Sequence, residues 1–135
     1  MAALNQMRQY QEQAMGTATP GMITVMVFDE VIKNINLANK AIDEGNIQDS
    51  HDAIMKAENI YLTLMNFLDE RFEVSKSLTR LYEYMAARLV EANMKKSKAI
   101  LKEVMDFTVE FRDTWKQAEK HARIEQSGGK VTYNG

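Results

Sequence analysis

The feature that most constrains this chain is a long stretch without helix-breaking residues. From Asn46 to Ser127 the sequence contains neither Gly nor Pro. Strands joined by tight turns would normally need several of these residues over such a length, whereas the abundant Ala, Leu, Met, Glu, Lys and Arg favour helices. The sequence therefore predicts an all-α domain.

Four amphipathic stretches predict four helices. They run from Pro20 to about Asp43, from about Gln48 to Phe72, from Ser75 or Ser77 to near Lys95, and from Ser97 toward Arg123. Thr19 is the predicted N-cap of the first helix, and Gly45 permits the left-handed turn that ends it. Because the links are short, neighbouring helices must be antiparallel, which predicts an up-down four-helix bundle.

The bundle is expected to occupy residues 19–124. Residues 1–18 form a predicted N-terminal cap segment, either helical or extended, because Leu4, Met7 and Tyr10 fall at helical spacing. Residues 125–135 are polar and are expected to form a flexible tail. The chain is thus interpreted as one soluble domain with two short extensions.

Composition excludes several classes of partner and of chemistry. Seventeen basic and nineteen acidic residues give a net charge of −2, without the one-signed excess typical of proteins that bind nucleic acid or anionic membranes. The absence of Cys excludes disulfides and thiolate chemistry and fits a reducing compartment. The N-terminus lacks a signal peptide's apolar centre, and no apolar run approaches the roughly 18 residues of a membrane span. We expect a cytoplasmic location.

The two histidines give no indication of a catalytic or metal site. Neither His51 nor His121 belongs to the Glu-x-x-His pattern of di-metal helical bundles. His121 lies with Lys116, Lys120 and Arg123 near the predicted end of the fourth helix, where cations complement the helix dipole. We predict no enzyme activity, no metal and no cofactor; the enzymatic alternative is a phosphotransfer bundle that uses His51.

The helices carry more apolar surface than a bundle core requires. A core-facing helix needs an apolar stripe of roughly 100°. The first helix has a second apolar face, and the apolar arc of the second helix spans roughly 160°. The third helix leaves an aromatic side chain off its apolar stripe. The predicted binding surface comprises Met22, Ile23, Met26, Ile60, Tyr61, Leu64 and Tyr84.

Three interpretations of this surplus remain open. Exposed apolar surface rich in adaptable Met side chains often marks a site where another chain binds. The alternative is that these residues simply pack against the N-terminal segment or against a second copy of the protein. A third possibility is that the N-terminal segment, through Met7 and Tyr10, covers the surface in the free protein and yields it to a partner.

A family resemblance is carried by residues spread along the chain. They are Tyr10, Thr17-Ala-Thr-Pro20, Tyr82-Glu-Tyr-Met85, Arg88-Leu-Val-Glu-Ala-Asn93 and Phe111-Arg-Asp-Thr-Trp115-Lys-Gln-Ala118. In this order they resemble the flagellin export chaperone family, FliS, from Tyr10 through the fourth helix. The sequence departs from the family pattern at Phe28, where Tyr is frequent, and at Glu30, where Gly is common.

The resemblance implies a four-helix bundle in the bacterial cytoplasm that binds the C-terminal region of flagellin before type III export. Flagellin and the flagellar export apparatus are the implied partners, and the client is implied to wrap around the bundle. The resemblance also implies that the segment around Tyr10 covers part of the binding surface when no client is present. The alternative is a structural or assembly bundle whose extra apolar face mediates homodimerisation.

Overall fold

The computed structural model describes residues 20–69 and 71–132, which form four α-helices and the links between them. Their bounds are α1 Pro20–Asp43, α2 Ile47–Asn66, α3 Glu73–Lys95 and α4 Lys98–Thr132. These residues contain no strand, which confirms the predicted all-α class. Thr19 and the predicted cap segment at 1–18 lie outside the described residues. No helix in the described part of the chain is both long and apolar enough to cross a membrane.

The helices form an up-down bundle. Each helix packs against the next in the chain, and α1 also packs against α4. Lys98 begins α4 and Asp43 ends α1. At this end of the bundle the Lys98 Nζ lies 2.7 Å from the Asp43 carboxylate. His51 near the start of α2 similarly lies 3.0 Å from the Asn93 amide near the end of α3. The predicted antiparallel arrangement is therefore confirmed.

Both short turns at this end depend on left-handed residues. Gly45 has a φ of 71° and separates α1 from α2, as predicted, and Asn46 then caps α2 by accepting a hydrogen bond from the Asp49 amide. Lys96, with a φ of 49°, performs the same turn between α3 and α4. Ser97, where the fourth helix was predicted to begin, caps α4, because its Oγ accepts from the Ile100 amide at 3.2 Å.

The predicted helix bounds differ from the structure around the second link and at the end of α4. α2 ends at Asn66 and α3 begins at Glu73 after Phe72, whose side chain makes no capping bond. Neither Ser75 nor Ser77 caps α3, since both lie inside it. The link needs no Gly or Pro because the Asp69 carboxylate accepts from both the backbone and the side chain of Arg71.

The last helix continues beyond Arg123, where its apolar stripe fades, to Thr132. This last part of α4 includes Gly128 and Gly129, although Gly is a poor helix former. The predicted end of the bundle at residue 124 therefore lies inside α4.

Aromatic side chains from all four helices meet in the core. Phe28 lies 6.4 Å from Tyr61 and 5.8 Å from Phe111 between ring centroids, and Tyr82 contacts all three rings. Burial raises the pKa of Tyr61 and keeps its hydroxyl neutral. This aromatic cluster packs the four helices against one another in the core.

Candidate functional site

A groove between the start of α1 and the later part of α4 contains two of the predicted binding residues. Its volume is about 320 Å³, and we call it the α1/α4 groove. Its lining residues are Met22, Val25 and Met26 from α1 and Lys116, Glu119, Lys120 and Arg123 from α4. Val25 is buried, whereas the two methionines are half-buried. One wall is therefore apolar and adaptable, and the other is charged.

Glu119 is the buried charged residue of this groove. Only 8% of its surface is exposed, and among the described residues its buried Oε1 atom has no hydrogen-bond partner. The nearest cation is Arg123, whose Nε lies 3.6 Å from Oε1, which is too far for a good hydrogen bond. Glu119 and Arg123, one helical turn apart, thus form an ion pair without a close hydrogen bond.

Gly21 explains how Glu119 comes so close to α1. A Cβ atom at residue 21 would lie 2.6 Å from the Glu119 Oε2, which is well inside van der Waals contact. The carboxylate therefore lies against the first turn of α1, where the positive end of the helix dipole favours negative charge. Glycine at this position allows the two helices to hold a carboxylate between them.

Two other predicted residues lie away from the groove. Ile23 is half-buried on α1 but does not line it. Tyr84 is 44% exposed on α3, which packs against α2 and α4 rather than α1. The structure thus brings Met22 and Met26 together and leaves Tyr84 on another face.

Ile60, Tyr61 and Leu64 are core residues, and their predicted place on an exposed surface is wrong. All three are buried, and the Tyr61 hydroxyl lies 2.5 Å from Thr108 Oγ1. The reason is that α2 packs against both α1 and α3, so that its wide apolar arc is buried against two helices. An arc wider than 100° on this helix is needed inside the bundle.

Met7 and Tyr10, the predicted cover of the binding surface, lie outside the described residues. The cover therefore stays a prediction. In the structure α1 begins at Pro20, next to the α1/α4 groove.

The charged wall of the groove was not predicted as part of a site. Lys116, Lys120 and Arg123 were expected to complement the dipole at the end of the last helix, but α4 continues to Thr132. They instead line the α1/α4 groove together with Glu119. Their spacing of three and four residues is the sequence signal for this shared face.

A polar network joins α3 to α4 at the exposed Tyr84. The Tyr84 hydroxyl donates to Glu103 at 2.7 Å, and the Arg88 Nε donates to the same carboxylate at 2.6 Å. Arg88 and Lys95 also pair with Glu91, each at 2.9 Å. The hydrogen bonds from Tyr84 and Arg88 lower the pKa of Glu103. Tyr84 thus ties two helices together.

A second, shallower groove lies between α2 and α3. It has a volume of about 230 Å³ and is lined by Met55, Val90 and Met94 among polar residues that include His51 and Asn93. Met94 is 81% exposed. Within the described residues no cluster of three or more His, Asp or Glu side chains is arranged to hold a metal ion. His51 is an exposed side chain with an Asn neighbour.

A four-helix bundle with an adaptable apolar groove is a scaffold typical of proteins that bind a helical polypeptide. Comparison with known proteins agrees with this class. The family model described as "Flagellar protein FliS" matches residues 3–122. The chain belongs to the FliS family, which is a chaperone family and not an enzyme family.

Similar proteins from distant bacteria cover nearly the same length. The flagellar secretion chaperone FliS of Bacillus subtilis is 38% identical over 128 residues, which are 95% of this chain and 96% of that protein. The Salmonella typhimurium chaperone of the same name is 29% identical over 119 residues, covering 86% and 88%.

A solved structure described as a bacterial flagellar chaperone shares the fold. It has a TM-score of 0.71 and 15% identity, and the match covers 87% of this chain and 98% of that one. At this identity the likeness concerns the arrangement of helices alone.

Proposed function

We propose that this protein is a cytoplasmic flagellar secretion chaperone that binds the disordered C-terminal region of flagellin. By holding that region it prevents premature polymerisation and delivers flagellin, competent for type III export, to the flagellar export apparatus. The observation that supports this proposal is the α1/α4 groove, where Met22 and Met26 present an apolar wall next to solvent. Family membership supplies the flagellar context.

The recognition mode we propose is helix-in-groove binding. An amphipathic segment of the client places its apolar face on Met22, Val25 and Met26 and folds as it binds. Ordering such a segment consumes about 2 to 5 kcal/mol of the gross interaction energy. The α1/α4 groove alone is too small to supply this, so the client also covers further faces of the bundle.

The predicted cap segment at 1–18 gives this binding a competitor. In the proposed mechanism Met7 and Tyr10 occupy part of the binding surface in the free protein and leave it when the client arrives. Such a cover limits the apolar area open to unrelated chains. Because the cover is displaced on binding, its removal should tighten or accelerate client binding.

Calorimetric titration of the full chain with a C-terminal flagellin peptide tests the proposal. We expect a 1:1 complex with a negative heat-capacity change, which is the signature of apolar burial. Sedimentation over a dilution series is run in parallel. A tight dimer that shows no binding of the peptide at micromolar concentration would exclude the proposal in favour of a self-associating bundle.

A further inference from the structure

The charged wall of the α1/α4 groove contains two exposed lysines, Lys116 and Lys120. Among the described residues neither lysine forms an ion pair, whereas Arg123 in the same wall is paired with Glu119. Three cations and one carboxylate line the groove, so its lining is positive although the whole chain has a net charge of −2. The two lysines are therefore open to a negatively charged partner.

The positive charge is confined to the later part of α4. Earlier on the same helix, Glu103, Asp106 and Glu110 line a separate pocket with Phe107. The sign of the charge thus changes along the helix, from acidic in its first half to basic at the groove. A segment that lies on the groove meets cations there, and it would meet carboxylates if it were shifted toward the start of α4. Charge therefore distinguishes one register of a bound segment from another.

The apolar wall opposite the lysines specifies the form of the bound segment. Met22 and Met26 are half-buried on that wall, where they can contact the apolar face of an amphipathic helix. Lys116 and Lys120 are one helical turn apart, which is about 6 Å along the axis of α4. Carboxylates one turn apart on a helix that lies along α4 would match this spacing.

We infer that the α1/α4 groove selects a helix of the client that has an acidic edge. The apolar face of this helix contacts Met22 and Met26, and carboxylates beside that face pair with Lys116 and Lys120. The inference rests on the proposed function and specifies which kind of client segment lies in this groove.

The positive edge of the groove supplies selectivity that its apolar wall lacks. Met side chains accept many apolar shapes, so Met22 and Met26 alone discriminate poorly among amphipathic helices. The exposed lysines attract a helix with an acidic edge and repel one with a basic edge. Because exposed ion pairs contribute little to affinity, the main effect is a faster and correctly oriented encounter.

The test combines charge reversal in the full chain with charge replacement in the C-terminal flagellin peptide. The protein variant is Lys116→Glu with Lys120→Glu. Its matched control is Lys33→Glu with Lys56→Glu, which changes the net charge equally at two exposed lysines outside the groove. In the peptide, each acidic residue is replaced in turn by Lys. Calorimetry measures the affinity and stopped-flow mixing measures the association rate, both at low and at high salt.

We expect the Lys116→Glu, Lys120→Glu variant to bind at least about five-fold more weakly at low salt, mostly through slower association. The difference should shrink to within about two-fold at 1 M salt, where the screening length is about 3 Å. The control should stay within about two-fold of wild type. One peptide acid, when replaced by Lys, should weaken binding to wild type and strengthen binding to the reversed variant.

Thermal unfolding and circular dichroism of the free variants separate binding from structure. If the reversed variant fails to fold, Lys116→Gln with Lys120→Gln is measured in its place. Binding within two-fold of wild type at low salt by a folded variant would overturn the inference. An equal loss in the control, or the absence of any peptide acid coupled to the two lysines, would overturn it as well.

Other occupants of the positive edge give different results. Tighter peptide binding by the reversed variant would overturn the inference in favour of the chain's own first 18 residues, which include the acidic Glu12. Salt-sensitive self-association that the reversal abolishes, with peptide binding unchanged, would overturn it in favour of a second copy. Failure of wild type to bind the peptide would instead count against the proposed function.

Discussion

The hydroxyl of Tyr61 on α2 lies 2.5 Å from the Oγ1 of Thr108 on α4, across the centre of the bundle. Thr108 uses its own proton to donate to the Val104 carbonyl at 2.7 Å, so Tyr61 is the donor of the pair. Both side chains are fully buried. This bond connects two helices that lie diagonally opposite, and it fixes their register.

Removing the Tyr61 hydroxyl and removing the Thr108 hydroxyl should lower the unfolding free energy by different amounts. Tyr61→Phe leaves Thr108 still bonded to Val104, so we expect a loss of about 1 kcal/mol in unfolding free energy. Thr108→Val leaves the Tyr61 hydroxyl buried without an acceptor and should cost about 1 to 3 kcal/mol. Urea unfolding measures both, and a larger loss for Tyr61→Phe than for Thr108→Val would contradict the assigned donor.

The turn between α1 and α2 gives a second prediction. Gly45 has a positive φ, which costs a residue with a Cβ about 1 to 2 kcal/mol. We expect Gly45→Ala to lower the unfolding free energy by about that amount, whereas Gly45→Asn, which tolerates this conformation, should cost less. No neighbouring atom lies within 4 Å of a Cβ at this position, so equal losses for both variants would rule out backbone strain as the cause.

The network around Glu103 predicts a pH dependence. Hydrogen bonds from Tyr84 and Arg88 lower its pKa below the ordinary 4.5. The unfolded state therefore binds a proton before the folded state as pH falls, and stability from this group is lost below about pH 4.5. Glu103→Gln should be less stable than wild type at pH 7, and the difference should shrink toward pH 3. A difference that is constant between these pH values would contradict the network's contribution.

The fold follows from the sequence because its signals are local. The absence of Gly and Pro between Asn46 and Ser127, the left-handed turn at Gly45 and the cap at Ser97 act within a few residues of where they occur. The bounds of the link between α2 and α3 were predicted wrongly because the link contains neither Gly nor Pro. The link is stabilised instead by the pair of Asp69 and Arg71. A surface ion pair of this kind leaves no hydrophobic pattern in the sequence from which the helix ends could be predicted.

The binding surface was harder to predict because it depends on which helices are neighbours. A helical wheel places Met22 and Met26 on the second apolar face of α1, and in the structure both are half-buried at the α1/α4 groove. It did not show that α2 packs against two helices, and so Tyr61 and its neighbours were assigned to the surface although they lie in the core. The position of Glu119 depends on its close approach to Gly21, which brings together residues far apart in the sequence.

The central claim is that the client lies in the α1/α4 groove, and calorimetric titration of paired Met variants with the C-terminal flagellin peptide tests it most directly. Met22→Ser with Met26→Ser removes the apolar wall, and Met55→Ser with Met94→Ser removes equivalent side chains from the groove between α2 and α3. Burial of a Met side chain contributes about 1.5 to 3 kcal/mol when complete, and these two are already half-buried. We predict binding at least about ten-fold weaker for the first pair and within about two-fold of wild type for the second. Unchanged affinity in the first pair, with the fold intact, would contradict the claim.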